Sequence, residues 1–420
     1  MNASEQRIKH HLEQLAQFTA TPGQGTTRMS YSQQDKQARD YLKTEMQKIG
    51  LQVREDAIGN IIGHLAGSET NLPPVMIGSH FDSVPNGGAF DGPAGIVMAL
   101  EVATRFQQQN LKPRYPIEVV ALVEEEGASF GNGLLASRAM AGKVSTDDLE
   151  NMFDDQGISA AQRMNDAGFN ANNVASVIRK PGDLKAFIEL HIEQGPILEQ
   201  AGEDVGLVDV IVGISQLTVT IQGKAGHAGT TPMTHRADAL LAASKVIQHI
   251  PQFALDAGEA TVATVGKLHV LPNGANVIPN KVIFTVDVRS KNETKLLLVL
   301  EQIKTAVKSL NGDGITTTVE QPLYVKPTEL NSTIHQLLQE NSQKLGLKSR
   351  TMVSGAGHDA MIFAGFTDVG LVFVPSRNGL SHHPDEWTDY AQIEKGVDVI
   401  VETVKQLTEA ESYFINKITE

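Results

Sequence analysis

Apolar positions recur at helical spacing near the start of the chain, over about 5–18 and 31–49, on either side of the loop TATPGQGTTRMSYS. Ser32 precedes the second stretch and Gly50 follows it, a start and a stop signal for a helix. NIIGHLAG and PVMIGSH read as strands, and between Pro93 and about Gln109 the run GIVMALEVATRF returns to helical spacing. Residues 117–123, IEVVALV, form a dense β-branched run that suits a central parallel strand, and it empties into EEEGASFGNG. KAFIELHIEQG repeats the pattern with a short strand that delivers His191 and then Glu193. Strand, polar loop, helix and strand again is the rhythm of a doubly wound α/β domain, whose ligands bind at the carboxyl ends of strands.

The pattern changes after about residue 212. QLTVTIQGKAG alternates like a partly exposed strand, ALLAASKVIQHI has helical spacing, and ATVGKLHV and KVIFTVDVRS return to alternation before the amphipathic helix ETKLLLVLEQIKTAVKSL. From near residue 326, HDAMIFAGF and VGLVFVPSRNGLSHHPDEW resume the loop-after-strand pattern of the beginning. The predicted fold is therefore α/β. One discontinuous domain (1–212 and 326–420) has a mixed, mainly parallel sheet flanked by helices, and a smaller α+β domain (213–325) is inserted into it.

Composition narrows the chemistry. A chain of 420 residues can bury two cores, and 41% apolar with 20% charged residues is ordinary for a globular protein. No apolar run approaches the ~18 residues of a membrane span. MNASEQRIKHHLEQLAQF lacks the apolar centre of a signal peptide, so cytoplasmic residence is expected. The absence of cysteine excludes disulfides, thiolate catalysis and Cys-ligated metals, so any metal must be held by imidazole and carboxylate. A formal charge of -14 and the lack of a basic, aromatic-rich stripe disfavour nucleic acid as a partner.

Five groups then stand out because each follows an apolar, strand-like run: His80, Asp91, Glu125 or Glu126, His191 and His382. Singly, such a histidine is most often structural, and Asp91 at a helix start is often only a cap. Jointly they resemble a site assembled from several loops. Three adjacent carboxylates at 124–126 would repel one another and be driven towards protonation by burial, so either the loop is solvated or a cation sits there. In extended backbone, neighbouring side chains point to opposite sides, so one glutamate can bind metal while the other faces water. Nitrogen and oxygen donors suit zinc, manganese or cobalt. Two ions about 3.5–4 Å apart need a bridging carboxylate, and Asp91, in the Gly-lined turn AFDGPAG, is the candidate. Asp82 is placed to take the second ring N–H of His80, or to close its own turn.

These stretches resemble the dinuclear-metal amidohydrolases of the M20 peptidase superfamily, in the branch of N-carbamoyl-L-amino acid hydrolases and allantoate amidohydrolases. The resemblance rests on GSHFDSVPNGGAFDGP, VVALVEEEGASF, IELHIEQGP, GKAGHAGTTPM, NVIP, DVRS, GAGHDA and SRNGLSHHPDEW, in the family's order from near residue 20 to near 390. It implies that His80 and His191 bind one divalent ion, Glu126 and His382 a second, and Asp91 bridges them; His383 stands beside His382, but the family's SHxP pattern aligns the first. Zinc is favoured, with manganese or cobalt as alternatives. Glu125 would be the general base. The insertion would be a lid and dimerisation domain whose His227 stabilises an oxyanion, in the active site of the partner subunit of a homodimer. Asn276 and Arg289 resemble substrate-binding residues, and Gln216 and His358 match further pocket positions.

The implied partner is a small ureido acid rather than a nucleic acid or a membrane. Hydrolysis of N-carbamoyl-L-amino acids to amino acid, ammonia and carbon dioxide is the expectation. GSHFDSVPNGGAFDGPAG and RKPG look like the carbamoyl side of the branch, whereas GAGHDA looks like the allantoate side. VGISQLTV lacks the extra arginine that allantoate enzymes tend to place near Gln216. An M20-type aminopeptidase or dipeptidase is a further alternative, against which ELHIEQG and GKAGHAGTTPM count.

Overall fold

A computed structural model describes residues 1–409 and the short strand Glu411–Ser412; residues 410 and 413–420, at the end of the segment expected to close the large domain, lie outside the described residues. The chain forms two compact units. The first comprises Met1–Asp209, Leu330–Met352 and the described residues from His358 onward; the second comprises Val210–Glu329 with Val353–Gly357.

The first unit is built on a mixed sheet. Four strands run parallel at its centre, in the order Ile117–Leu122, Val75–His80, Ala186–Ile192 and Asp368–Val374. Ile61–Leu65 and Gln52–Glu55 extend one side antiparallel, and Val205–Ile211 pairs antiparallel on the other. The β-branched run that suggested a central strand is buried at all six positions of Ile117–Leu122, as expected of a strand covered on both faces. Helices Ala3–Ala16, Pro93–Gln108 and Tyr390–Leu407 pack on one another. The first helix starts two residues before its apolar periodicity does, because Asn2 and Glu5 form a reciprocal capping box.

This topology decides where chemistry can occur. Val75–His80 ends in His80; Ile117–Leu122 runs into Glu124–Glu126; Ala186–Ile192 carries His191 next to its end; Asp368–Val374 leads into the loop of His382. Register puts His80 level with Leu122, and His191 level with Phe373. All four central strands thus deliver a polar group at the same edge of the sheet, the edge that binds ligands in open α/β folds.

Helix Pro93–Gln108 begins with proline in its first turn, and Gly92 is its cap residue. Asp91 therefore leaves its side chain free of the capping task. Gly92 has φ +80°, and a Cβ there would lie 2.5 Å from the His80 ring. Both the backbone conformation and the ring demand glycine.

The second unit is a four-stranded antiparallel sheet in the order Val262–Leu271, Lys281–Ser290, Gly213–Gln222, Thr316–Val325. Burial alternates residue by residue along Lys281–Ser290. Val282, Phe284, Val286 and Val288 face a core shared with helices Ala239–Ile247, Ile250–Ala257 and Glu293–Lys308. It is a smaller β-rich insertion, consistent with a lid or dimerisation subdomain. Among the described residues no helix is long and apolar enough to cross a membrane.

Gly92→Ala should cost about 2 kcal/mol or more in urea denaturation of the metal-free protein, combining left-handed strain with a displaced His80 ring. A shift below half a kcal/mol, roughly surface-mutation size, would contradict this close packing.

Candidate dinuclear metal centre

Asp91 lies at the middle of the cluster, buried, with its two oxygens turned to different partners. Oδ1 is 3.4 Å from His80 Nε2 and 3.1 Å from His191 Nε2. Oδ2 is 3.3 Å from His382 Nε2. Glu126 Oε2 lies 3.4 Å from the same His382 nitrogen, and Glu125 Oε2 lies 3.8 Å from His80 Nε2. Three overlapping groups result, His80–Asp91–His191, His80–Glu125–Glu126 and Asp91–Glu126–His382, each with ligand atoms within 4.8 Å of one another.

The donor chemistry fits cations. His191 Nδ1 faces the Ile192 carbonyl at 2.9 Å, and His80 Nδ1 faces the Asp82 carbonyl at 3.3 Å. A carbonyl only accepts, so each ring carries a proton on Nδ1 and directs Nε2 at the cluster, where it can become a lone-pair donor once its own proton is lost. His80 Nε2 is buried and makes no hydrogen bond. A buried imidazole nitrogen facing two carboxylates needs a positive charge between them, a proton in the metal-free chain or a cation in its place. With one Asp91 oxygen turned to each side, the cluster is a dinuclear divalent-metal site.

Charge is concentrated here. Burial works against charge on His80, yet Glu125, Asp82 and Asp91 outweigh it and hold the ring well above the ordinary imidazole value. For His191 the same opposition is won by Asp91, again upwards. His382 is pushed up to about 9, first by its hydrogen bond with Asp91 and against partial burial. Burial would raise Asp91, but His191, His382 and His80 drive it well below the usual carboxylate range. Burial, helped by Asp91, pushes Glu126 up to about 7. Glu125 is raised well above its usual value, by burial foremost and then by Glu126, Asp359 and Asp82, against the pull of His80.

The three consecutive glutamates have separate destinations. Glu124 is fully buried with φ +54°, and its Oε1 accepts the amide N–H groups of Ser129 and Phe130. It is thus a loop brace rather than a solvated acid. The left-handed residue turns the chain so that Glu125 and Glu126 reach His80 and His382 respectively. Asp82 does less for the His80 ring, 3.5 Å away, than for this loop, since Oδ1 accepts Glu125 N–H and Oδ2 accepts Glu126 N–H, both at 3.1 Å.

Of the adjacent histidines 382 and 383, only the first reaches the cluster. His383 Nδ1 accepts the Asp385 amide and stays within its own turn. Glu193 also turns away; its carboxylate accepts the Ile197 and Leu198 N–H groups and caps a short helix. Sequence reasoning missed Gln194, whose Nε2 donates to Asp91 Oδ2 at 2.6 Å. Its position three residues after His191 was visible, but its φ of +60°, which re-aims the side chain, was not. His358 is buried edge-on to His191 with ring centroids 4.5 Å apart. Burial, then His191, holds it well below the ordinary imidazole value, hence neutral.

The remaining candidates belong to the second unit. His227 and Asn276 share a two-stranded ribbon: His227 is paired with Val277, and Ala228 N–H donates to the Asn276 carbonyl. His227 Nδ1 accepts the Gly229 amide at 3.0 Å, so its proton resides on Nε2. Gln216 and Arg289 lie on neighbouring strands and share Asp287: Arg289 Nε donates to Oδ1 at 2.8 Å, Gln216 Nε2 to Oδ2 at 3.4 Å. Arg289 Nη1 also donates to the Gly355 carbonyl at 2.9 Å.

An α/β sheet with a two-cation cluster of imidazole and carboxylate at its strand ends defines a metal-dependent hydrolase. The chain belongs to Peptidase family M20/M25/M40, whose model matches residues 76–406. It is 43% identical over 406 residues to the N-carbamoyl-L-amino-acid amidohydrolase of Paenarthrobacter aurescens, covering 96% of this chain and 98% of that one. It is 36% identical to the allantoate amidohydrolase of Escherichia coli (strain K12), covering 96% and 98%. Among solved structures, an amidase of the hydantoinase/carbamoylase family from Burkholderia multivorans matches with a TM-score of 0.88, 34% identity and coverage of 96% and 98%.

Cations need free lone pairs, whereas in the metal-free cluster His382 is pushed up to about 9 by Asp91 and Glu126 up to about 7 by burial. Zinc binding at pH 7 should therefore release about one proton or more per chain, and affinity should rise from pH 6 to pH 8. Calorimetry in buffers of different ionisation enthalpy measures this; binding without proton release would contradict the charge arrangement.

Proposed function

We propose that the protein hydrolyses the ureido C–N bond of N-carbamoyl-L-amino acids, giving amino acid, ammonia and carbon dioxide, with Glu125 as general base. The observation that carries this reading is the division of labour between adjacent carboxylates. Glu126 is directed to His382, while the Glu125 carboxylate makes no hydrogen bond among the described residues. Only its backbone is tied down, by Asp82.

In this reading His80 and His191 would hold one divalent ion, Glu126 and His382 the other, and Asp91 would serve both. Zinc is favoured, with manganese or cobalt compatible with the same donors. When bound, the ions would make a water acidic near neutral pH and polarise the scissile carbonyl. Glu125 takes the proton of the attacking water and returns it to the leaving nitrogen. His227, protonated on Nε2, offers that N–H to the developing oxyanion, a contribution of roughly 3 kcal/mol for one well-placed donor.

Arg289 has five N–H donors, of which three are engaged by Asp287 and Gly355, so two remain for a substrate α-carboxylate. Asn276 and His358 would complete the pocket. Allantoate carries a second ureido arm and more polar surface; the neighbourhood of Gln216 offers an amide shared with Asp287 rather than an additional guanidinium. The higher identity to the carbamoylase relative leans the same way, while the GAGHDA motif and the Escherichia coli relative keep allantoate as the second reading. The insertion is read as a lid and dimerisation domain, with His227 serving the partner subunit.

Ammonia release from a panel of N-carbamoyl-L-amino acids and allantoate, with zinc, manganese and cobalt added separately, tests the substrate. The carbamoyl compounds should give a kcat/KM about tenfold or more above allantoate, a difference of roughly 1.4 kcal/mol; the reverse order would establish the second reading. Glu125→Gln should keep both metals and lose about 10²–10⁴-fold in kcat. Near-wild-type turnover would remove Glu125 from the role of base. Mixing inactive Glu125→Gln and His227→Ala subunits should restore turnover if His227 acts across a dimer. No recovery after verified subunit exchange would place it in its own subunit's site.

A further inference from the structure

Glu386 is not among the groups that face the cluster, and although it lies in the stretch SRNGLSHHPDEW the sequence reading gave it no role. It is nonetheless only 3% exposed. Its Oε1 accepts two consecutive amides, Phe90 N–H and Asp91 N–H, both at 3.0 Å. Its Oε2 lies 2.9 Å from the Ser381 hydroxyl, which also lies 2.8 Å from Asp91 Oδ2. A Cβ on Gly88 would stand 2.0 Å from Glu386 Oε1, so a glycine opens the space that this carboxylate fills. Phe90 packs edge-on against Trp387, closing the same region from the next residue.

His382 differs from the other groups of the cluster. His80, Asp91 and His191 are buried, whereas the His382 side chain is 48% exposed and its backbone is left-handed, with φ +55°. What ties its loop down is the residue before it, Ser381, whose single hydroxyl hydrogen lies between Asp91 Oδ2 and Glu386 Oε2 and donates to one of them at a time, while Glu386 grips the Asp91 backbone. The geometry points to Glu386 as a positioning residue that latches the His382 loop onto Asp91 and so assembles the second cation site, but not the first. This rests on the two-metal reading proposed above. Asp82 does the equivalent work on the opposite loop, accepting the amides of Glu125 and Glu126. Two buried carboxylates thus each fix a consecutive pair of backbone N–H groups beside the cluster.

The test is metal stoichiometry and affinity in the full chain, stripped of metal, reloaded with Zn²⁺ and freed of excess. Wild type should hold two zinc ions. Glu386→Ala should hold one, with the weaker zinc reduced about tenfold or more in affinity. Glu386→Gln, whose amide oxygen still accepts the Phe90 and Asp91 N–H groups, should fall between them. Ser381→Ala removes the hydroxyl link without emptying the carboxylate's pocket, and it should reproduce the selective loss even if Glu386→Ala folds poorly. In the Glu386→Ala background, His382→Ala should cost no further zinc, whereas His191→Ala should remove the last ion. Folded Glu386→Ala and Ser381→Ala proteins that keep both zinc ions at wild-type affinity, or that lose both equally, overturn the latch while leaving the two-metal reading intact. A wild type that binds no zinc overturns that reading and the latch with it.

Discussion

One carboxylate with two faces organises the site. Asp91 is buried, so its charge must be compensated locally, and its two oxygens look towards separate sets of partners. In the metal-free chain that compensation comes from three imidazoles, which hold Asp91 ionised and are themselves held towards protonation. Bound cations would take over the same role and release the rings as neutral ligands. The surrounding architecture follows from this demand: a helix whose cap is glycine rather than Asp91, a cap glycine that makes room for His80, and four parallel strands whose ends meet at one edge.

The price of gathering so many acids is met by backbone amides. Glu124 takes the N–H groups of Ser129 and Phe130, Asp82 those of Glu125 and Glu126, and Glu193 those of Ile197 and Leu198. A carboxylate holding two amide donors satisfies polar backbone that the loops would otherwise strand, and it stiffens the loop at the same time. Glu124, Gln194 and His382 all have left-handed backbone, each at a cost of roughly 1–3 kcal/mol unless the surroundings enforce it. Strain of this kind, gathered at loops that aim side chains, is characteristic of sites rather than scaffolds.

How much of this is legible without coordinates depends on whether a feature is local. IEVVALV announces a parallel strand because a strand covered on both faces needs unbroken apolar residues. His80, His191 and His382 are conspicuous because each follows such a run. The α/β class and the β-rich insertion emerge from the change of periodicity near residue 212. The three glutamates, by contrast, are consecutive acids in one run, and only the turn at Glu124 separates a brace from two carboxylates that reach the cluster. Gln194 depends on a dihedral angle. Glu386 meets Asp91 across 295 residues of chain, and no local pattern registers a partner so distant.

The residues facing the cluster are drawn from positions 80 to 382, yet His227, Asn276, Gln216 and Arg289 all sit on one uninterrupted stretch of a separate unit. If those four residues meet substrate as proposed, a lineage could trade that stretch in a single recombination event and inherit a new set of contacts, the oxyanion donor His227 among them, with the cation cluster left in place. Diversification by exchange, rather than by slow point change, is the evolutionary freedom that such an inserted unit confers.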